Sequence, residues 1–134
     1  MQNRKSKDVD NTCLGVGGNK AGAAIMLKDC QSNGSDVWQL MKTKEWKHKK
    51  TGLCVGATGK GNGAPMSLQA CDGGKDQKWG VVDITKVYFQ LKNQDNSQCV
   101  DIPWYGGEKG LKAQLWQCRT ENFTADNMEY KWKK

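Results

Sequence analysis

The sequence predicts an all-β fold made of three copies of one short-stranded unit, closed about a pseudo-threefold axis. Three observations carry that expectation. The six cysteines fall as Cys13 and Cys30, Cys54 and Cys71, and Cys99 and Cys118, with spacings of 17, 17 and 19 residues. A tryptophan ends each copy, at Trp38, Trp79 and Trp132. Apolar residues recur on a short period between turns rich in Gly, Asn and Asp, which is the pattern of brief strands in hairpins and not of helix. Units of roughly forty residues with about four strands each suit a propeller or a barrel. Three units are too few for a typical propeller ring, so hairpins closing into a barrel are expected.

Copy one runs Cys13-Leu-Gly-Val, a Gly-rich turn, Ala24-Ile-Met-Leu-Lys-Asp-Cys30, and ends Asp36-Val-Trp38. Copy two runs Cys54-Val-Gly-Ala, a turn, Pro65-Met-Ser-Leu-Gln-Ala-Cys71, and ends Gln77-Lys-Trp79. Copy three runs Cys99-Val-Asp-Ile, the turn over Gly106–Gly110, Lys112-Ala-Gln-Leu-Trp-Gln-Cys118, and ends Tyr130-Lys-Trp132, with extra residues around Glu121–Asn127. Trp46 and either Tyr88 or Phe89 mark the opening strands of copies two and three. Copy one has only Gln2-Asn-Arg-Lys there, without an apolar residue, which suggests a native chain extending upstream. The boundaries expected are one domain over 1–134, with repeats of approximately 1–41, 42–84 and 85–134.

Six cysteines allow 15 connectivities. The near-equal separations select one bridge within each copy: Cys13–Cys30, Cys54–Cys71 and Cys99–Cys118. Each would close a loop worth about 3 kcal/mol on the chain-entropy view. Zinc is the alternative for such a set, but no C-x-x-C occurs and His48 is the one histidine. No metal and no cofactor are therefore expected. Disulfides point to the secretory pathway or the exterior. No apolar run is long enough to span a bilayer, and the polar, basic start is not a signal peptide. The tripeptides Asn33-Gly-Ser and Asn122-Phe-Thr match the N-glycosylation acceptor pattern.

With 21 basic and 14 acidic residues the formal charge is +7. The excess is concentrated at Arg4, Lys5 and Lys7 and in the run Lys42–Lys50. Such a balance suits polyanions, but the simpler reading, a solvated lysine-rich surface, is the one expected.

The chemistry is unequal among the copies. Copy three alone has a carboxylate two residues after its first cysteine, Asp101, and an aromatic ring two residues before its second, Trp116. Copies one and two have Gly15 and Gly56 in place of the acid, and Lys28 and Gln69 in place of the ring. If Leu115 points inward on a strand, Trp116 faces outward. The closing tryptophans Trp38, Trp79 and Trp132 read as core.

In Cys99-Val100-Asp101, the Gly turn, Gln114-Leu115-Trp116-Gln117-Cys118 and Gln77-Lys78-Trp79, the chain resembles the ricin B-type lectin, the β-trefoil carbohydrate-binding family. The resemblance extends from Cys13 to Trp132. Asp36 and Tyr130 stand where the glutamine of the closing Gln-x-Trp is expected in copies one and three. The resemblance implies that Asp101 accepts hydrogen bonds from neighbouring sugar hydroxyls and that Trp116 stacks on the apolar face of the ring, with Gln114 beside them. Glu129 stands where the family commonly has Asn, so Asn127 is the substitute expected to complete the site. Trp104 and Tyr105, in the loop after Asp101, would form a second wall or pack that loop. The implied partner is a glycan or glycopeptide bearing galactose or N-acetylgalactosamine, with no nucleic acid and no membrane insertion. A tethered catalytic domain is also implied, because such modules end mucin-type N-acetylgalactosaminyltransferases, form toxin B chains and are appended to glycosidases.

Those groups suit a hexose. Trp is flat, large and rigid enough to cover a patch of C–H. A carboxylate accepts directional, charge-assisted hydrogen bonds that select one epimer. The competing function is a basic trefoil that binds sulfated glycan or another polyanion through alternating lysines of Lys42–Lys50. Catalysis is not expected: there is one histidine, no nucleophile elbow, and no carboxylate pair that spacing identifies.

Overall fold

The computed structural model describes residues 2–3, 12–30, 34, 36–83, 89–102, 110–118 and 130–131. They form twelve strands and one short 3-10 turn at Lys75–Gln77. Copy one supplies β1 (Gln2–Asn3), β2 (Thr12–Val16), β3 (Ile25–Asp29) and β4 (Trp38–Leu40). Copy two supplies β5 (Trp46–His48), β6 (Cys54–Ala57), β7 (Met66–Gln69) and β8 (Trp79–Asp83). Copy three supplies β9 (Phe89–Asn93), β10 (Cys99–Asp101), β11 (Gln114–Trp116) and β12 (Tyr130–Lys131). Every pairing is antiparallel, in one sheet ordered β11-β10-β9-β12-β1-β2-β3 with β8 on β9, and a second ordered β4-β5-β6-β7.

The pseudo-threefold symmetry is visible in the register. The first cysteine of each copy faces the opening strand at an equivalent position: Gln2 with Cys13, Lys47 with Cys54, and Lys92 with Cys99. The first opening strand, β1, pairs with both β2 and β12.

Three equivalent clamps join the copies. The amides of Gly22, Gly63 and Gly110 donate to the carbonyls of Leu68, Leu115 and Leu27 at 2.7, 2.8 and 2.7 Å. The leucine amides answer with bonds to Ala23, Ala64 and Leu111, each 2.9 Å. All three glycines have positive φ, at 94°, 87° and 94°, a region where an L side chain is strained. The same leucines are fully buried, so each clamp ties a turn of one copy to a core position of the next.

Trp38, Trp46 and Trp79 fill the core between copies one and two, with ring centroids 5.0 and 5.4 Å apart. Trp38 Nε1 donates to Leu14 O and Trp79 Nε1 to Val55 O, both at 2.9 Å. The closing tryptophan thus hydrogen-bonds the residue after the first cysteine of its own copy, which keeps a polar N–H inside an apolar core. Trp132 lies outside the described residues. The three disulfides pair as the spacing predicts, with Cα–Cα distances of 5.0, 5.1 and 4.9 Å. Among the described residues no helix is long and apolar enough to cross a membrane.

Candidate carbohydrate site

Strands β10 and β11 align Cys99 with Trp116, Val100 with Leu115, and Asp101 with Gln114. Because side chains alternate along a strand, Val100 and Leu115 enter the core while Asp101, Gln114 and Trp116 share the opposite face. Trp116 is half-buried, which leaves part of the indole open. Asp101 is 1% exposed, and Gln114 Nε2 donates to its Oδ2 at 2.9 Å. Asp101 and Trp116 are diagonal neighbours across the pair, a separation that long and aromatic side chains bridge. Asp101, Gln114 and Trp116 thus lie on one face of the β10–β11 pair, with the Gln114 amide bonded to the acid.

The same diagonal is closed in the other copies. Gly56 lies beneath Gln69, whose Oε1 would stand 2.5 Å from a Cβ added at Gly56. Gln69 Oε1 accepts from Gln77 Nε2 at 3.1 Å, and that same Gln77 nitrogen donates to Ala70 O at 2.9 Å. In copy one the aliphatic chain of Lys28 covers Gly15, with Cδ 3.3 Å from the position of a Cβ, and its Nζ donates to Val16 O at 3.3 Å. The residue at the aromatic position therefore covers the place of the acid in both.

The sequence-predicted residues Trp104, Tyr105 and Asn127 lie outside the described residues, as do Glu129 and both glycosylation tripeptides' asparagines. The lysine run does not form one strand face. Only Lys47 belongs to β5, whose flanking residues Trp46 and His48 are fully buried. Lys42 and Lys44 sit in the turn before the strand, and Lys49 and Lys50 in the turn after it. Alternation fails because the strand is three residues long. Cys13, Cys30 and Asp36 lie close enough to suggest a metal set, but both sulfurs are committed to a disulfide.

A depression of about 450 Å³ opens where Ala24, Pro65 and Lys112 of the three copies meet, and Gln114 lines it. Gln114 therefore stands between this depression and Asp101. Sequence reasoning did not find Asn62, whose side chain meets copy three beside Trp116. The two positions it joins are 55 residues apart, and nothing local marks either one.

The ricin-type β-trefoil lectin domain matches residues 2–79, and a second description, ricin-type β-trefoil lectin domain-like, matches residues 45–116. The chain belongs to the ricin-type β-trefoil lectin family. Among solved structures, this lectin domain is similar to the designed threefold-symmetric protein ThreeFoil, at TM-score 0.81 and 16% identity over 90% of this chain and 89% of that one. It is similar to the hemolytic lectin CEL-III, at TM-score 0.77 and 24% identity, covering 98% of this chain and 29% of that one. It is also similar to the C-half of the earthworm R-type lectin in complex with GalNAc, at TM-score 0.66 and 14% identity over 87% and 86%. At these identities the likeness shows the fold alone. No curated relative matches the chain at significant similarity.

Proposed function

We propose that this lectin domain binds galactose-configured sugars, galactose and N-acetylgalactosamine, through its third copy. The observation that carries the reading is the shared face of Asp101, Gln114 and Trp116, set against the Lys28 and Gln69 side chains lying over Gly15 and Gly56. Asp101 accepts from sugar hydroxyls, Trp116 stacks on the C–H face of the ring, and Gln114 holds the carboxylate. Trp104 or Tyr105 adds a second wall, and Asn127 completes the hydroxyl contacts. The GalNAc complex of the earthworm lectin supports the choice of sugar class.

A single shallow site of this kind binds in the millimolar to micromolar range, about 4–8 kcal/mol. Useful avidity then needs clustered glycans or a tether. We place residues 1–134 as one such domain, repeats 1–41, 42–84 and 85–134, acting without catalysis as a targeting arm. The partial coverage of CEL-III shows such a fold inside a longer chain, and a transferase or glycosidase parent fits the same role. Three disulfides suit a secreted or lumenal setting.

The test is retention on galactose and N-acetylgalactosamine resins. Wild type should be retained and released by free sugar, and Trp116→Ala should pass through while melting at the wild-type temperature. Retention of that variant would remove the site from copy three.

A further inference from the structure

Copy two has lost the acid and the ring, yet one of its side chains reaches the strand that carries Trp116. Oδ1 of Asn62 accepts two hydrogen bonds from copy three, from Gln117 N at 2.9 Å and from Gln98 Nε2 at 3.1 Å. Gln98 Oε1 accepts in return from Gly61 N at 3.1 Å. The turn of copy two is thereby fastened both to the residue following Trp116 and to the residue preceding Cys99.

The backbone clamp common to all three seams acts at Leu115, one residue before the indole. Asn62 acts one residue after it. Trp116 is held on both sides by copy two. The seam between copies one and two has the backbone clamp, Gly22 to Leu68, but not the side-chain bridge. There the residues equivalent to Asn62 and Gln117 are Ala21 and Ala70, and an alanine side chain has no acceptor to offer. The bridge therefore stands at the seam that flanks Trp116, where a stacking platform needs a fixed orientation.

We infer that Asn62 is a positioning residue for Trp116, a role for copy two in the site of copy three that rests on the sugar-binding reading above. The carboxamide oxygen fixes the backbone at Gln117, and the fixed backbone sets the attitude of the neighbouring indole. A ring that rocks presents its face to the sugar for only part of the time, and apparent affinity falls by that fraction.

The experiment compares Asn62→Ala, which removes the acceptor, with Asn62→Asp, which keeps an oxygen in the same place. Asn62 is exposed, so both variants are expected to fold. Titration with N-acetylgalactosamine should show Asn62→Ala weakened about threefold to tenfold, the range for loss of one or two net hydrogen bonds. Asn62→Asp should stay within about twofold of wild type. A second reading needs no sugar. In the unliganded protein, the Trp116 indole N–H resonance should shift and Gln117 amide exchange should quicken in Asn62→Ala, but not in Asn62→Asp. If wild type binds no galactoside at all, the sugar reading falls and the resonance measurement alone decides on Asn62. An unmoved Trp116 resonance with unchanged Gln117 exchange in Asn62→Ala overturns the inference. Equal weakening in both variants overturns it as well.

Discussion

Gln114 Nε2 donates to Asp101 Oδ2 across 2.9 Å, between residues that face each other in the β10–β11 register. The bond aims one carboxylate oxygen at the neighbouring strand and so sets the direction of the other. Replacing Gln114 by Leu removes the donor while keeping the bulk. Hydrogen bonds to charged groups contribute about 1.5–3 kcal/mol, so affinity for N-acetylgalactosamine should fall about tenfold or more. Gln114→Glu should be worse, because a second carboxylate beside the first disfavours ionisation of both. Isothermal titration checks the order wild type, Leu, Glu. Equal affinities for all three would detach Gln114 from the site.

Copy two offers the converse test. Gly56→Asp alone restores the acid but drives its Cβ against the Gln69 amide, which must give up its bond to Gln77. The expected cost is about 1 kcal/mol of stability with no gain in binding. Gly56→Asp combined with Gln69→Trp removes the obstructing amide and supplies the ring. That double variant should raise the binding stoichiometry from one sugar per chain to two. Stoichiometry fixed at one would mean that acid and ring on this hairpin are not sufficient.

Much of this was legible in the sequence because it depends on local chemistry. Near-equal cysteine spacing pointed to the disulfides, since both ends of each bridge lie within one copy. Alternation placed Leu115 inside and left Trp116 on the outer face, because a strand has only two sides. The lysine run shows the limit of the same rule: alternation has meaning only along a strand, and β5 ends at His48. Three features were not legible. Nothing in the sequence shows that Lys28 and Gln69 lie over glycines, because that depends on side-chain conformation across a strand pair. The bond from Asn62 to Gln117 depends on how two copies meet. The glycines at positions 22, 63 and 110 read as turn residues, and their common role as clamps to the next copy appears only in three dimensions.

The tryptophan core separates a hydrogen-bonded indole from one that relies on packing alone. Trp79 and Trp46 are both fully buried, but only Trp79 Nε1 has an acceptor, Val55 O, and Trp46 Nε1 has none among the described residues. Phenylalanine at either position removes similar volume and leaves a cavity. At Trp79 it also removes the bond to Val55 O. Trp79→Phe should therefore cost about 1 kcal/mol more than Trp46→Phe in urea unfolding. The reverse order would show that cavity relaxation, not the hydrogen bond, decides the cost at these sites.

Ionic strength discriminates the sugar site from the basic surface. A neutral hexose on Asp101 and Trp116 exchanges no counterions, so its affinity should hold within about twofold between roughly 50 and 500 mM NaCl. A polyanion held by several lysines would lose affinity steeply over the same range, with a slope set by the number of charges neutralised. The structure divides Lys42 and Lys44 from Lys49 and Lys50, with Lys47 alone on the strand between. Divided charges neutralise fewer groups of one linear ligand. Neutralising all five by glutamine should leave N-acetylgalactosamine affinity unchanged at every salt concentration, while lowering any residual retention on heparin. A steep salt dependence of N-acetylgalactosamine binding, abolished by those five substitutions, would transfer the site from copy three to the lysine turns.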